Sequence, residues 1–418
     1  MKSAALGLAL LALAATGCGN EKSASPAEAS SCADVFYEGD GQPDAIVVSD
    51  LPRRGFGQAT STLMVEAIKF VLRERRFKAG DFQIGYQSCN DTVGDEPYDR
   101  GLCERNAKAY VAADDVLGVI GPWNSGCAIV QLPILSRKRA GPLALVSPAN
   151  TYTGLTRKTP GAGDAPEVYY PDGVRNYVRL VPPDDEEGTA VALLAKQLGA
   201  KRAVVVAVAD DYAQGVSRPF LATARGLGLN AREFEWRPQK TYSQLARRVA
   251  KRRPQFVYLA GVPNLNGRRL LEDLRAELGP NVPFVGTAAF FMPDTTELGP
   301  AAEGMRIAAV GMPAERLPPA GQSFLRDFGK PAFAVRQGYG APEAAQSAEV
   351  LLDAIGRSDG SRESVVDELF RTRVQNGILG SFAFDRNGDI TPAAVGFFEV
   401  EDGKAVVDRV VRVPDQAD

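Results

Sequence analysis

From residue 45 onward, short β-branched runs alternate with amphipathic stretches at helical spacing. Mostly continuous apolar runs at 45–49, 82–86, 116–120, 143–146, 203–207, 256–259 and 283–285 predict strands covered on both faces. Between them, Met64, Ile68, Val71 and Leu72 set one apolar stripe on a helix, and Leu270, Leu271, Leu274 and Leu278 set another. Strands alternating with helices predict an α/β fold, a mainly parallel, doubly wound (Rossmann-like) sheet wrapped by helices.

The alternation is interrupted three times. Tyr-Val-Arg-Leu-Val-Pro-Pro, 177–183, makes one extended segment before a helix opens at the acidic residues 184–187. A second break follows 305–313, and a third precedes Gly380. Each reads as a crossing between two lobes, and 418 residues with 45% hydrophobic content suit two lobes better than one. Beyond the third break, 382–384, 396–400 and 406–411 read as short alternating strands joined by Asn, Asp and Gly turns.

Composition removes whole classes of activity. With 48 basic and 51 acidic side chains the net charge is -3, so there is no cationic excess for nucleic acid. Histidine is absent, which removes the usual general base, the Ser-His-Asp triad and imidazole zinc sites. No G-x-x-x-x-G-K-[ST], no G-x-G-x-x-G after a strand and no G-x-S-x-G occurs, so neither a nucleotide enzyme nor an exported hydrolase is expected, and no cofactor. Asp385-Arg-Asn-Gly-Asp389 mimics the start of a calcium loop, but its twelfth position is Gly396 where a bidentate Glu is needed; a hairpin turn is the better reading. The basic cluster from Arg247 to Arg253 reads as a solvated helix end.

After Lys2, an apolar run of about twelve residues is too short, at roughly 1.5 Å per residue, to cross a hydrocarbon core of about 30 Å. It reads as a signal peptide, 1–17. Ala15-Thr16-Gly17-Cys18 resembles a bacterial lipobox, although Ala15 stands where Leu is preferred, and it makes Cys18 the expected lipidation site. Residues 18–43 then read as a flexible, lipid-anchored tether, because 19–31 holds almost no bulky apolar side chain. Export makes Cys32, Cys89, Cys103 and Cys127 an even set in an oxidising compartment, hence two disulfides with three possible pairings. With no CxxC and no histidine, a metal cluster on these cysteines is not expected.

The informative stretch runs from Val116 to Arg157. A strand ending in Gly121-Pro122 turns through Trp123-Asn124-Ser125-Gly126 into a helix, which should leave Ser125 and the first N–H groups facing out at the carboxyl edge of the sheet, where a carboxylate would bind. A second loop at the same edge, Ser147-Pro148-Ala149-Asn150-Thr151, follows the next strand.

Together with Asp50-Leu-Pro, the 86–91 segment, Asp210-Asp-Tyr212-Ala-Gln-Gly215 and the 339–343 segment, this stretch resembles the type I periplasmic binding proteins, and within them the branched-chain amino-acid-binding branch of ABC-transporter lipoproteins. The resemblance runs from about Ala45 to the end. It implies two lobes closing on a small molecule, with 44–181 and 312–376 in the first and 182–311 and 377–418 in the second. It implies that a ligand carboxylate is held by Ser125, Ala149 and Thr151 on one lobe, and that Tyr212, with a phenol edge and a flat face, meets the ligand from the other; Trp123, which could stack on a larger or flatter ligand, Gly126 and Asn150 are further candidate contacts in the same two loops. The family's disulfide implies Cys89 with Cys127, leaving Cys32 with Cys103. One departure concerns the ligand: the turn where amino-acid binders of this type place an acid is here Gly286-Thr287-Ala288-Ala289, leaving Asp211, Asp294 or Glu343 to pair with an ammonium.

The expectation is a monomeric, non-enzymatic solute receptor on the outer face of the cytoplasmic membrane. It is held there through the lipid anchor only, and it captures a carboxylate-bearing small molecule, an amino acid or a related compound, for ABC permease subunits. The alternative is a ligand-sensing module that signals to a receptor partner without transport.

Overall fold

The computed structural model describes residues 27–413, except 56, 95, 97, 160–162, 210, 262, 264–265, 292–294 and 330–339. The signal peptide, Cys18, residues 18–26, Asp210, Asp294 and Tyr339 lie outside the described residues.

The first lobe is built from β1 (Ala45–Leu51), α1 (Gln58–Glu74), β2 (Lys78–Ala79), β3 (Phe82–Asn90), α2 (Arg100–Ala112), β4 (Val116–Ile120), α3 (Ser125–Leu135), β5 (Ala144–Ser147) and β6 (Tyr177–Arg179). These strands form one sheet in the order β2-β3-β1-β4-β5-β6, parallel except where β2 folds back on β3. Every residue of β1, β4 and β5 is buried, as expected for strands covered on both faces.

The chain then crosses to the second lobe: α4 (Asp184–Gln197), β7 (Arg202–Val208), α5 (Asp211–Gly226), β8 (Asn230–Trp236), α6 (Ser243–Ala250), β9 (Phe256–Ala260), α7 (Gly267–Leu278), β10 (Phe284–Gly286) and β11 (Arg306–Val310). It returns for α8 (Pro319–Phe328), α9 (Ala341–Arg357), α10 (Arg362–Phe370) and a small antiparallel sheet of β12 (Arg373–Gly377), β13 (Gly380–Phe384) and β14 (Ile390–Thr391). It ends on β15 (Ala394–Glu401) and β16 (Lys404–Arg412), which extend the second sheet to β16-β15-β11-β10-β9-β7-β8.

Three expectations change. The third crossing lies after β14, not near 377: Ile378, Phe382 and Phe384 are buried in the same core as Met64, Ile68 and Leu351, so the small sheet packs on the first lobe. Burying those two rings, not the turn residues between the strands, decides which lobe holds it. The stretch 27–43 is not a free tether. Ala27 is buried, the backbone of Phe36 pairs in both directions with Tyr86 on β3, and Phe36 and Tyr37 pack on Phe77. The disulfides join Cys32 to Cys89 and Cys103 to Cys127. Cys32 forms an antiparallel bridge with Cys89 along β3, while α2 packs on α3 and brings Cys103 to Cys127, so the pairing of Cys89 with Cys127 and of Cys32 with Cys103 does not form. β8 was not predicted, since Asn-Ala-Arg-Glu-Phe-Glu-Trp is charged and mostly exposed, as an edge strand permits.

Candidate functional site

The two loops of the first lobe are built as one unit at the carboxyl ends of β4 and β5. Gly121, at φ 132, leaves no room for a side chain: a Cβ there would stand 2.5 Å from the Asp50 carbonyl oxygen. The Ser147 hydroxyl donates to the Pro122 carbonyl at 3.0 Å and accepts the N–H groups of Ala149 and Asn150 at 3.2 and 2.9 Å. The Asn150 amide donates to the Pro122 and Trp123 carbonyls, both at 3.0 Å, and accepts the Tyr177 hydroxyl at 3.2 Å. Asn150 is fully buried, so its side chain fastens one loop to the other instead of facing a ligand. Ala149 is buried too.

At the start of α3 the expected row of free N–H groups is mostly spent. Asn124 caps the helix, its side chain accepting the Gly126 N–H at 2.7 Å, and its carbonyl takes the Cys127 and Ala128 N–H groups. The Tyr98 ring lies directly over Gly126. Gly126 is therefore not a free donor, and the anion-binding reading narrows to the Ser125 hydroxyl, half-buried and accepting the Tyr152 N–H at 3.4 Å. Trp123 is half-buried against the first core, beside the loop carrying Pro52 and Gly57.

Thr151 joins the lobes. Its carbonyl accepts the Asp184 N–H at 2.7 Å, and its hydroxyl faces the Asp184 carboxylate, at the point where α4 begins the second lobe. Tyr212, half-buried at the start of α5, packs on the second core near Tyr258.

Sequence reasoning missed the acids behind these residues. Glu187 is buried and its carboxylate accepts the Tyr258 hydroxyl at 2.8 Å and the backbone N–H of Ala288. It thus docks on the 286–289 turn, which carries no acid of its own. Burial pushes the Glu187 carboxyl up, and the neighbouring Asp184 charge adds to this, to about 8 despite the two hydrogen bonds. Burial also raises Asp184 to about 6, against the pull of Thr151 and Arg179. Glu343 is used elsewhere, accepting the Gly340 N–H at 2.7 Å and closing the start of α9. The visible signal was the run Asp184-Asp-Glu-Glu187 opening a helix, where acids complement the dipole; its burial is a tertiary fact.

Two arginines tie the crossings together. Arg179 is fully buried, pairs with Asp389 at 2.6 Å and donates to the Tyr152 carbonyl at 2.9 Å. Arg157 pairs with Asp389 at 2.6 Å on one side and with Asp185 and Glu186 at 3.3 and 3.1 Å on the other. Although burial opposes it, the two guanidinium groups hold Asp389 below the usual carboxylate range. Asp385 to Asp389 do form the hairpin turn between β13 and β14, its Asp385 side chain accepting the N–H groups of Asn387 and Asp389.

A family model described as periplasmic binding protein matches residues 52–405. The chain belongs to that family. Its two lobes and three crossings are those of the type I periplasmic binding proteins. Among solved structures, this binding protein is similar to a leucine-binding protein from Thermotoga maritima (23% identity, 88% of this chain, 98% of that one, TM-score 0.67). It is similar to a branched-chain amino acid substrate-binding protein from Streptococcus pneumoniae in complex with isoleucine (17%, 88% and 99%, TM-score 0.66). It also resembles an ABC-transporter solute-binding protein from Rhodopseudomonas palustris in complex with 4-hydroxybenzoate (17%, 89% and 98%, TM-score 0.67). No curated protein matches the chain in sequence. No helix among the described residues is long and apolar enough to cross a membrane.

Proposed function

We propose that the chain is a lipid-anchored solute-binding protein of an ABC importer. It captures one small carboxylate-bearing molecule, an amino acid or a close relative, between its lobes and presents the closed form to permease subunits. What supports this reading is the coupled pair of loops carrying Ser125 and Thr151 on one lobe, joined through Thr151 to Asp184 at the start of the other lobe, which carries Tyr212 and the buried Glu187. The ligand carboxylate is held by Ser125 and Thr151, Trp123 and Tyr212 offer flat apolar faces, and no bond is broken. Closure is a shift of a hinge equilibrium, because the ligand touches both lobes only when they are shut. Lobes of 44–181 and 312–391 against 182–311 and 392–413 would turn about the Arg157–Arg179–Asp389 cluster.

The proteins of similar fold divide on one point, since leucine and isoleucine carry an ammonium and 4-hydroxybenzoate does not. Glu187 favours the amine, because an ammonium in that corner would meet a buried carboxylate in place of the missing turn acid. The test is a melting-curve screen of the oxidised protein against leucine, isoleucine, valine, benzoate and 4-hydroxybenzoate. A ligand at one hundred times its dissociation constant adds about 2.7 kcal/mol. A shift with an amine-bearing acid supports the reading, a shift with the benzoates alone removes the role given to Glu187, and none with any small carboxylate counts against binding itself.

A further inference from the structure

Away from the cleft, the first lobe buries two carboxylates with no cation beside them among the described residues. Asp50 is the penultimate residue of β1, and on the same face of that strand Ile46 and Val48 belong to the core under α2 and α3. Asp50 stands opposite Cys89 of the parallel neighbour β3, so Asp91, two residues on, continues the same side of the sheet. Each charge acts within electrostatic reach of the other, and the Tyr110 hydroxyl faces both. Both aspartates are completely buried.

The amide donors around them are already committed, and the buried Tyr110 hydroxyl is one more polar oxygen without a hydrogen-bond partner. The Asn106 amide donates to Asp50 Oδ1 at 3.0 Å and to the Asn90 carbonyl at 2.9 Å, and the Gln131 amide donates to Asp50 Oδ2 and to the Cys103 carbonyl at 3.5 Å. Both carboxylate oxygens of Asp91 are left without a hydrogen-bond partner, and so is Oε1 of the fully buried Gln131. One water could donate to these oxygens but would leave the charge uncompensated. What the cluster lacks is a positive centre that accepts several oxygens at once.

We propose that Asp50, Asp91 and the Gln131 amide oxygen form a buried site for a hard divalent cation, of the calcium class, between the end of the first sheet and helices α2 and α3. Two carboxylates balance a double charge, and the remaining donors are neutral oxygens, which calcium accepts while thiolate- and imidazole-seeking metals do not. The ion is structural: it fixes the carboxyl ends of β1 and β3 beside the Cys103–Cys127 bridge, one strand away from the loop that carries Ser125. This site is independent of the ligand cleft, and no cleft residue takes part.

The experiment is a melting curve of the full oxidised protein in EDTA and in millimolar calcium chloride, with bound metal counted by atomic emission after dialysis. Expected are one calcium retained per chain and a melting point several degrees higher with calcium. In Asp91→Asn, which keeps the size of the side chain, both effects should be lost while the circular dichroism is unchanged. If that variant does not fold, the metal count on the unaltered protein decides. No retained metal with superimposed curves overturns the proposal, and so does a shift produced equally by sodium alone.

Discussion

At the scale of single residues, the side chains proposed to touch a ligand differ from those that hold the loops. Ser125→Ala removes one half-buried hydroxyl and should weaken ligand binding by about 1 kcal/mol, roughly fivefold, with little change in melting point. Asn150→Ala should do the reverse in kind. It removes the hydrogen bonds to the Pro122 and Trp123 carbonyls and the one from the Tyr177 hydroxyl, of which Pro122 keeps Ser147, costing about 1–3 kcal/mol of stability, seen by denaturant titration without ligand. Glu187 gives a pH signature. Its folded value of about 8 lies above the roughly 4.3 of an exposed Glu, so the folded state binds the extra proton; its contribution to stability is full below about pH 4 and is lost as pH rises through 8. Melting points of the unaltered protein should therefore fall over that window, and Glu187→Gln should flatten the fall. An amine ligand should release a proton on binding near neutral pH, read by calorimetry in two buffers, and Glu187→Gln should abolish that release. The two hydroxyl-bearing loops at 125 and 151 were legible as loops after apolar strands; the burial of Glu187 was not, since nothing local distinguishes a buried first-turn acid from a solvated one.

At the scale of elements, the strands and helices were legible wherever both faces are covered. β1, β4, β7 and β9 announce themselves as apolar runs, and α1 and α7 by their stripes. The exposed edge strand β8 gives no such signal. The disulfides were not legible, because pairing follows from the segment at 32 lying antiparallel on β3 and from α2 packing on α3. Opening the Cys103–Cys127 bridge by a double Cys→Ser change should cost about 3 kcal/mol, measured by urea unfolding, since it frees a loop between residues 24 apart. The contact of α4 with α5 depends on Gly188, where a Cβ would collide with the Val216 carbonyl. Gly188→Ala should lower stability by about 1–3 kcal/mol despite alanine's better helix propensity.

At the scale of the whole molecule, two sheets are linked by three crossings, and Arg157, Arg179 and Asp389 bind the first and third of them together. Removing one partner of a buried pair leaves an uncompensated charge, so Asp389→Asn should destabilise by about 3–5 kcal/mol. The two-lobe plan was legible from the breaks in strand alternation. The lobe that owns the small sheet was not, because that rests on where Phe382 and Phe384 are buried. A small carboxylate-bearing molecule is proposed to bind between the lobes. The most direct measurement is calorimetric titration of the folded, oxidised protein with leucine, isoleucine, valine, benzoate and 4-hydroxybenzoate, repeated with Ser125→Ala. Expected is one-to-one binding of an amine-bearing acid, weakened by that substitution. Silence across the whole panel from a protein that melts cooperatively, or binding that Ser125→Ala leaves untouched, would contradict it.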